Sequence, residues 1–138
     1  MGGIPVMGRK INDEEFQGVL KLPAPKRYEY FVKKVADGEE LWSLSNDSGW
    51  ALTSDDDGTE LVPMWPHERF AEACIIGVWS AYRPKSIQLD RWLAAWIPGI
   101  IKDSRKIAVF KTPDGKGIVV EPERLKNDIE QELTNYED

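Results

Sequence analysis

Apolar residues recur along this chain in two rhythms, and the switches between them divide it into elements. Asn12-Asp13-Glu14-Glu15 opens a helical pattern with Phe16, Val19 and Leu20 on its apolar side, ended by Pro23 and Pro25. A second helix begins at Pro25, carries Tyr28, Phe31, Val32 and Val35 on one stripe, and stops at Gly38. The period then shortens to two. Glu40 to Ser45 and Trp50 to Thr53 read as strands around the turn Asn46-Asp47-Ser48-Gly49. An acidic turn, Ser54 to Thr59, leads to a third strand at Leu61–Trp65, so an antiparallel meander is expected.

The rest of the chain is organised around the stretch from Glu60 to Pro98, which holds four of the six tryptophans, the one histidine and the one cysteine. Pro66 suits the first turn of a helix, and Phe70, Ala71, Cys74, Ile75 and Val78 follow at helical spacing, with Trp79 closing the element. Pro84 forces Arg83 out of helical conformation, so Tyr82-Arg83-Pro84-Lys85 is expected to be a loop, with one short strand over 85–88. Leu89, Trp92, Leu93, Trp96, Ile97 and Ile100 then form a wide stripe, and Pro98 is expected to stop or kink that helix near Ile97. Lys106–Lys111 and Gly117–Glu121 flank Thr112-Pro113-Asp114-Gly115-Lys116 as a second hairpin. Its nearly all-apolar strands should lie centrally in the sheet. Pro122 opens a last helix with Leu125, Ile129 and Leu133 on a narrow stripe. The order is α-α-β-β-β-α-(β)-α-β-β-α, an α+β domain whose sheet of five or six mostly antiparallel strands is covered by helices. Residues 1–24 read as a loose tail of about ten residues followed by a short docking helix, and 25–138 as the single α+β domain.

At 138 residues the chain can bury a core without staples, and 41% hydrophobic with 30% charged residues is a globular balance. No apolar run approaches the ~20 residues that span a bilayer, and the N-terminus lacks a signal-peptide core. Val6 stands where a myristoylation signal needs Ser or Thr. A lone cysteine fits a reducing cytoplasm. The net charge of −6 argues against general nucleic-acid binding. Its distribution is uneven. Asp37 to Glu68 holds nine acidic residues and no Lys or Arg, whereas Arg83 to Lys116 holds eight basic residues against three acidic.

No catalytic constellation is legible. His67 and Cys74 are seven positions apart, two helical turns or roughly 10 Å on one helix, so they cannot touch or share a metal. No G-x-S-x-G surrounds a serine, and no phosphate-cradling glycine loop exists. Aligning Gly58 of Asp55-Asp56-Asp57-Gly58 with a calcium loop puts Thr53 and Met64 where Asp and Glu are required. Neither a metal nor a cofactor is expected, and Cys74 is expected to be buried and inert. Six tryptophans exceed what a core of this size takes, so one or two should reach the surface. The candidate binding residues are therefore Tyr82, Arg83 and Lys85, an aromatic with two cations, together with Trp65, His67 and Arg69.

The pattern LWSL…GWAL, LVPMWPHERFAEAC, YRPKSIQLDRWLAAWIPGI and IAVFKTPDGKGIVVEPERL, spanning about residues 28–133, resembles a family of small bacterial proteins known only as a domain of unknown function. The order of strand, VP-x-W, helix, loop, helix, hairpin and PE-x-L helix is also similar in layout to the N-terminal domain of enhanced serine sensitivity proteins. The resemblance implies a cytoplasmic α+β domain in a bacterium and brings no catalytic residues. Three readings follow: a non-enzymatic accessory module that binds a protein, an immunity or antitoxin protein whose acidic block faces a toxin, and a small-molecule sensor or enzyme. The sign of the last would be a closed polar pocket around His67, Arg69 and Arg83.

Overall fold

The structure, a computed structural model, describes residues 10–136. The expected loose tail lies almost wholly outside them. Helix α1 (Asp13–Leu20) is capped by Asn12, whose side chain accepts from the Glu15 N–H at 2.8 Å, and α2 (Ala24–Gly38) starts at the expected proline. Strands β1 (Glu40–Asn46), β2 (Gly49–Trp50), β3 (Thr53–Ser54) and β4 (Glu60–Met64) follow, then the short helix α3 (Glu68–Glu72). After a 3₁₀ turn at Gly77–Trp79 comes β5 (Arg83–Gln88). A continuous helical rod is built from α4 (Leu89–Arg91), a π turn (Trp92–Trp96) and α5 (Ile97–Lys102). Strands β6 (Lys106–Val109) and β7 (Ile118–Val120) and helix α6 (Pro122–Leu133) complete the chain.

The α+β class stands, but the sheet is not one meander. Strands β2-β1-β5 make one sheet and β3-β4-β6-β7 another. A bridge between Trp42 and Trp65, with N–H···O bonds of 2.9 and 2.8 Å, stitches them together. Among the described residues only β4 and β6 pair in parallel. The apolar hairpin is therefore half central: β6 is flanked on both sides, while β7 is an edge with Val119 exposed.

Two expectations fail locally, and of the two outcomes expected at Pro98 the stop does not occur. The helix expected over 66–79 ends at Glu72, because β-branched Ile75 and Ile76 precede Gly77, whose φ of +59° no α-helix contains. Val78, placed on the buried stripe by the sequence, is 90% exposed, and the 3₁₀ turn seats Trp79 in the core instead. Arg83, Pro84 and Lys85 are not a loop. They pair along β1, opposite Ser45, Leu44 and Ser43, and Pro84 is tolerated because β5 is an edge. Pro98 does not end its helix either. The Ile97 N–H reaches back five residues to the Trp92 carbonyl, and the widened turn takes up the bond that Pro98 cannot donate.

Candidate functional site

The six residues singled out from the sequence fall in separate places. Trp65 is fully buried and sets its ring edge-to-face on Trp79 at 6.0 Å. Its indole donates to the Lys111 carbonyl at 2.8 Å, and the Cys74 thiol shares that carbonyl at 3.4 Å. Burial pushes the Cys74 pKa up to about 11, against smaller opposite effects of Lys111 and the Trp65 indole. His67 caps α3, its Nδ1 accepting from the Arg69 N–H. Arg69 holds α1 in place: it donates to the Ile11 carbonyl, pairs with Asp13 and lies over the Phe16 ring at 4.2 Å. Tyr82 is half-buried against the core. Arg83 is exposed at the start of β5. Lys85 lines a cavity.

That cavity is a groove of about 790 Å³ between the β2-β1-β5 sheet and the helical rod. The pairing register explains its floor. Trp50 lies opposite Ser45, and Ser45, Ser43 and Leu41 face Arg83, Lys85 and Ile87, so Trp50, Lys85 and Ile87 share one sheet face. Buried Ile87, Val62 and Ile100 make the apolar base. Arg91, Ala95, Gly99 and Asp103 recur every four residues along the rod and form the helical wall. Two of these are small, and a Cβ placed on Gly99 would meet nothing within 4 Å. The groove thus owes its width to absent side chains.

Two half-buried tryptophans line it. Trp50 and Trp96 meet edge-to-face at 4.6 Å, and the Lys85 ammonium sits 5.6 Å from the centre of the Trp50 ring. Neither Lys85 nor Arg91 has an ion-pair partner among the described residues. Arg105, by contrast, is neutralised by Glu60 at 2.9 Å and Asp103 at 3.1 Å. The charge left open in the groove is positive. Among the described residues no group of three His, Cys, Asp or Glu side chains is placed to hold a metal. No helix among them is long and apolar enough to cross a membrane.

A family model described as "Protein of unknown function (DUF2750)" matches residues 28–129. The chain belongs to this family. The match covers β1 to β7, all but the end of α6, and every residue that lines the groove. Helix α1, which Arg69 holds, lies outside it. No curated protein matches the chain. Trp50, Trp96, Arg91, Ala95 and Gly99 are not among the candidate binding residues that the sequence offers. The surplus of tryptophans pointed to a surface aromatic, but which ones emerge depends on the β1–β5 register.

Proposed function

We propose that this protein is a non-enzymatic binding module that takes a partner protein in the groove between β5 and the helical rod. The observation that carries the reading is the edge-to-face pair of Trp50 and Trp96 beside two cations, Lys85 and Arg91, that lack counter-ions among the described residues. Half-buried tryptophan with arginine is what interface anchors are made of, and both side chains keep a contact-ready face without further ordering. A lone buried cysteine is in keeping with a module of the reducing cytoplasm.

The immunity reading has less support, because the acidic block is dispersed. Glu40 is buried, Glu60 is paired with Arg105, Asp56 lies near Lys116, and Asp55 accepts from the Asp57 and Thr59 N–H groups of its own turn. The sensor or enzyme reading, whose sign would be a closed polar pocket around His67, Arg69 and Arg83, has less support too. His67 and Arg69 serve α3 and α1, and Arg83 is on another strand.

The test is capture from the source cells on immobilised protein, followed by mass spectrometry, with Lys85→Glu/Arg91→Glu in parallel. Both side chains are exposed, so the double variant should melt with the native protein. A partner held by the native protein and lost by the variant is expected. The same partners held equally by both would remove the groove from the reading.

A further inference from the structure

We infer that the groove takes an extended acidic peptide segment of its partner, with carboxylates on Lys85 and Arg91 and an apolar side chain against Trp50 and Trp96. The inference rests on the binding-module reading and narrows it to one chemistry. Charge sets the first limit. Of the three cations that line the groove, Arg105 is already paired with Glu60 and Asp103, which leaves Lys85 and Arg91 to meet a ligand. An anion there makes charge-assisted bonds that no described residue supplies, whereas a cation would meet repulsion.

Shape sets the second limit. The helical wall runs from Arg91 to Asp103, a rise of roughly 18 Å at ~1.5 Å per residue. An extended chain covers that in about five residues at ~3.3 Å each. The rim is exposed along its length at Lys85, Gln88, Arg91, Ala95 and Asp103. Pockets for small ligands enclose most of the ligand surface, and this groove is open. It suits a chain that lies along it.

Apolar contact sets the third. Ile87, Val62 and Ile100 form a base that the two indoles extend toward solvent, and Leu52 beside them is exposed. Carboxylates alone would leave that surface wet. A segment that alternates or adjoins acidic and apolar residues covers both.

The experiment follows the indole N–H signals of the intact protein by two-dimensional NMR, with Trp50→Phe and Trp96→Phe assigning the two in question. The probe is an acetylated and amidated pentapeptide, Asp-Glu-Phe-Leu-Ser, titrated beside its Lys-Lys-Phe-Leu-Ser counterpart and beside phenylacetate. Saturable movement of the Trp50 and Trp96 signals by the acidic peptide is expected. Binding should weaken about tenfold or more for the basic peptide and for Lys85→Gln/Arg91→Gln, and weaken with added salt. Gly99→Leu, which fills open space, should abolish it. Should that variant fail to fold, the charge variant alone decides. Equal binding of the basic peptide would overturn the acidic chemistry while leaving the groove as a binding site. Phenylacetate binding as tightly as the pentapeptide would make the ligand a small carboxylate and overturn the peptide. No movement by any probe at millimolar concentration would overturn the inference, and the capture experiment would then decide the broader reading separately.

Discussion

Two tryptophan pairs in this molecule share a geometry and little else. Trp65 and Trp79 meet edge-to-face at 6.0 Å and 87°, Trp50 and Trp96 at 4.6 Å and 78°. The first pair is inside the core, with Trp65 at 0% exposure and its indole N–H bonded to the Lys111 carbonyl. The second is half-buried at a groove, with an ammonium over one ring and, on the same lining, a guanidinium that has no ion-pair partner among the described residues. Ring geometry alone therefore does not tell a packing pair from a recognition pair. What separates them is whether the surroundings complete the pair or leave one side of it open.

Truncation should separate them most sharply. Trp65→Ala removes a fully buried indole and leaves the Lys111 carbonyl with only the weaker Cys74 thiol, and a loss of about 3–5 kcal/mol is expected in urea unfolding. Trp96→Ala should lose only about 1–2 kcal/mol, most of it the contact with Trp50. Comparable losses at the two positions would erase the distinction. The cations repeat the contrast. Arg27 is buried and donates to the carbonyls of Leu22, Phe110 and Lys116 at 2.8, 3.3 and 3.1 Å, tying α2 to the β6–β7 hairpin. Arg27→Met should lose about 2–4 kcal/mol, whereas Lys85→Met should stay within about 0.5 kcal/mol of native.

Alkaline pH reads the closed region. The folded Cys74 thiol has its pKa raised from the ordinary 9.0 to about 11 by burial. Between those values the unfolded chain gives up the proton and the folded one keeps it, so stability falls as pH rises from about 9 and levels near 11. Tyr28 and Tyr30 act in the same direction. Burial raises both, and each donates to a carboxylate, Asp128 on α6 for Tyr28 and Glu15 on α1 for Tyr30. Cys74→Ala should flatten the stability profile between pH 9 and 10 and leave the tyrosine part, which begins near the ordinary tyrosine value of 10.0. Thiol labelling of the folded protein should be slow until the pH nears 11. An unchanged profile in the variant would mean that the thiol ionises as freely folded as unfolded.

The elements were legible in the sequence wherever a single segment decided its own structure. Helix α2, the β6–β7 hairpin and the Pro-initiated α6 follow from periodicity and turn chemistry, and each lies where those signals put it. The failures came where a second segment decided. Arg83-Pro84-Lys85 reads as a loop alone, and β1 makes it a strand. Pro98 reads as a stop or a kink, and a π turn carries the helix past it. The groove suffers most from this. Trp50 and Lys85 share a face only through β1, and Arg91, Ala95 and Gly99 form a wall only because the rod continues to Lys102. Arg69 and His67 were visible as polar residues beside an apolar helix. Their work as anchor and cap could not be seen without α1 and the start of α3 in place.

The smallest effect tests the open region most cleanly. Gly99 sits inside α5 with an ordinary helical backbone, and a Cβ there would meet nothing within 4 Å. Gly99→Ala therefore costs no packing, and it removes the extra freedom that glycine has in the unfolded chain. A gain of about 0.5–1 kcal/mol is expected from urea unfolding. Gly117 supplies the contrast, since a Cβ there would lie 2.7 Å from the Val109 carbonyl, and Gly117→Ala should destabilise the hairpin. A loss of stability in Gly99→Ala would mean that the space beside the rod is filled in solution. The groove would then be closed in the free protein, and the open tryptophan pair would differ less from the buried one than its geometry implies.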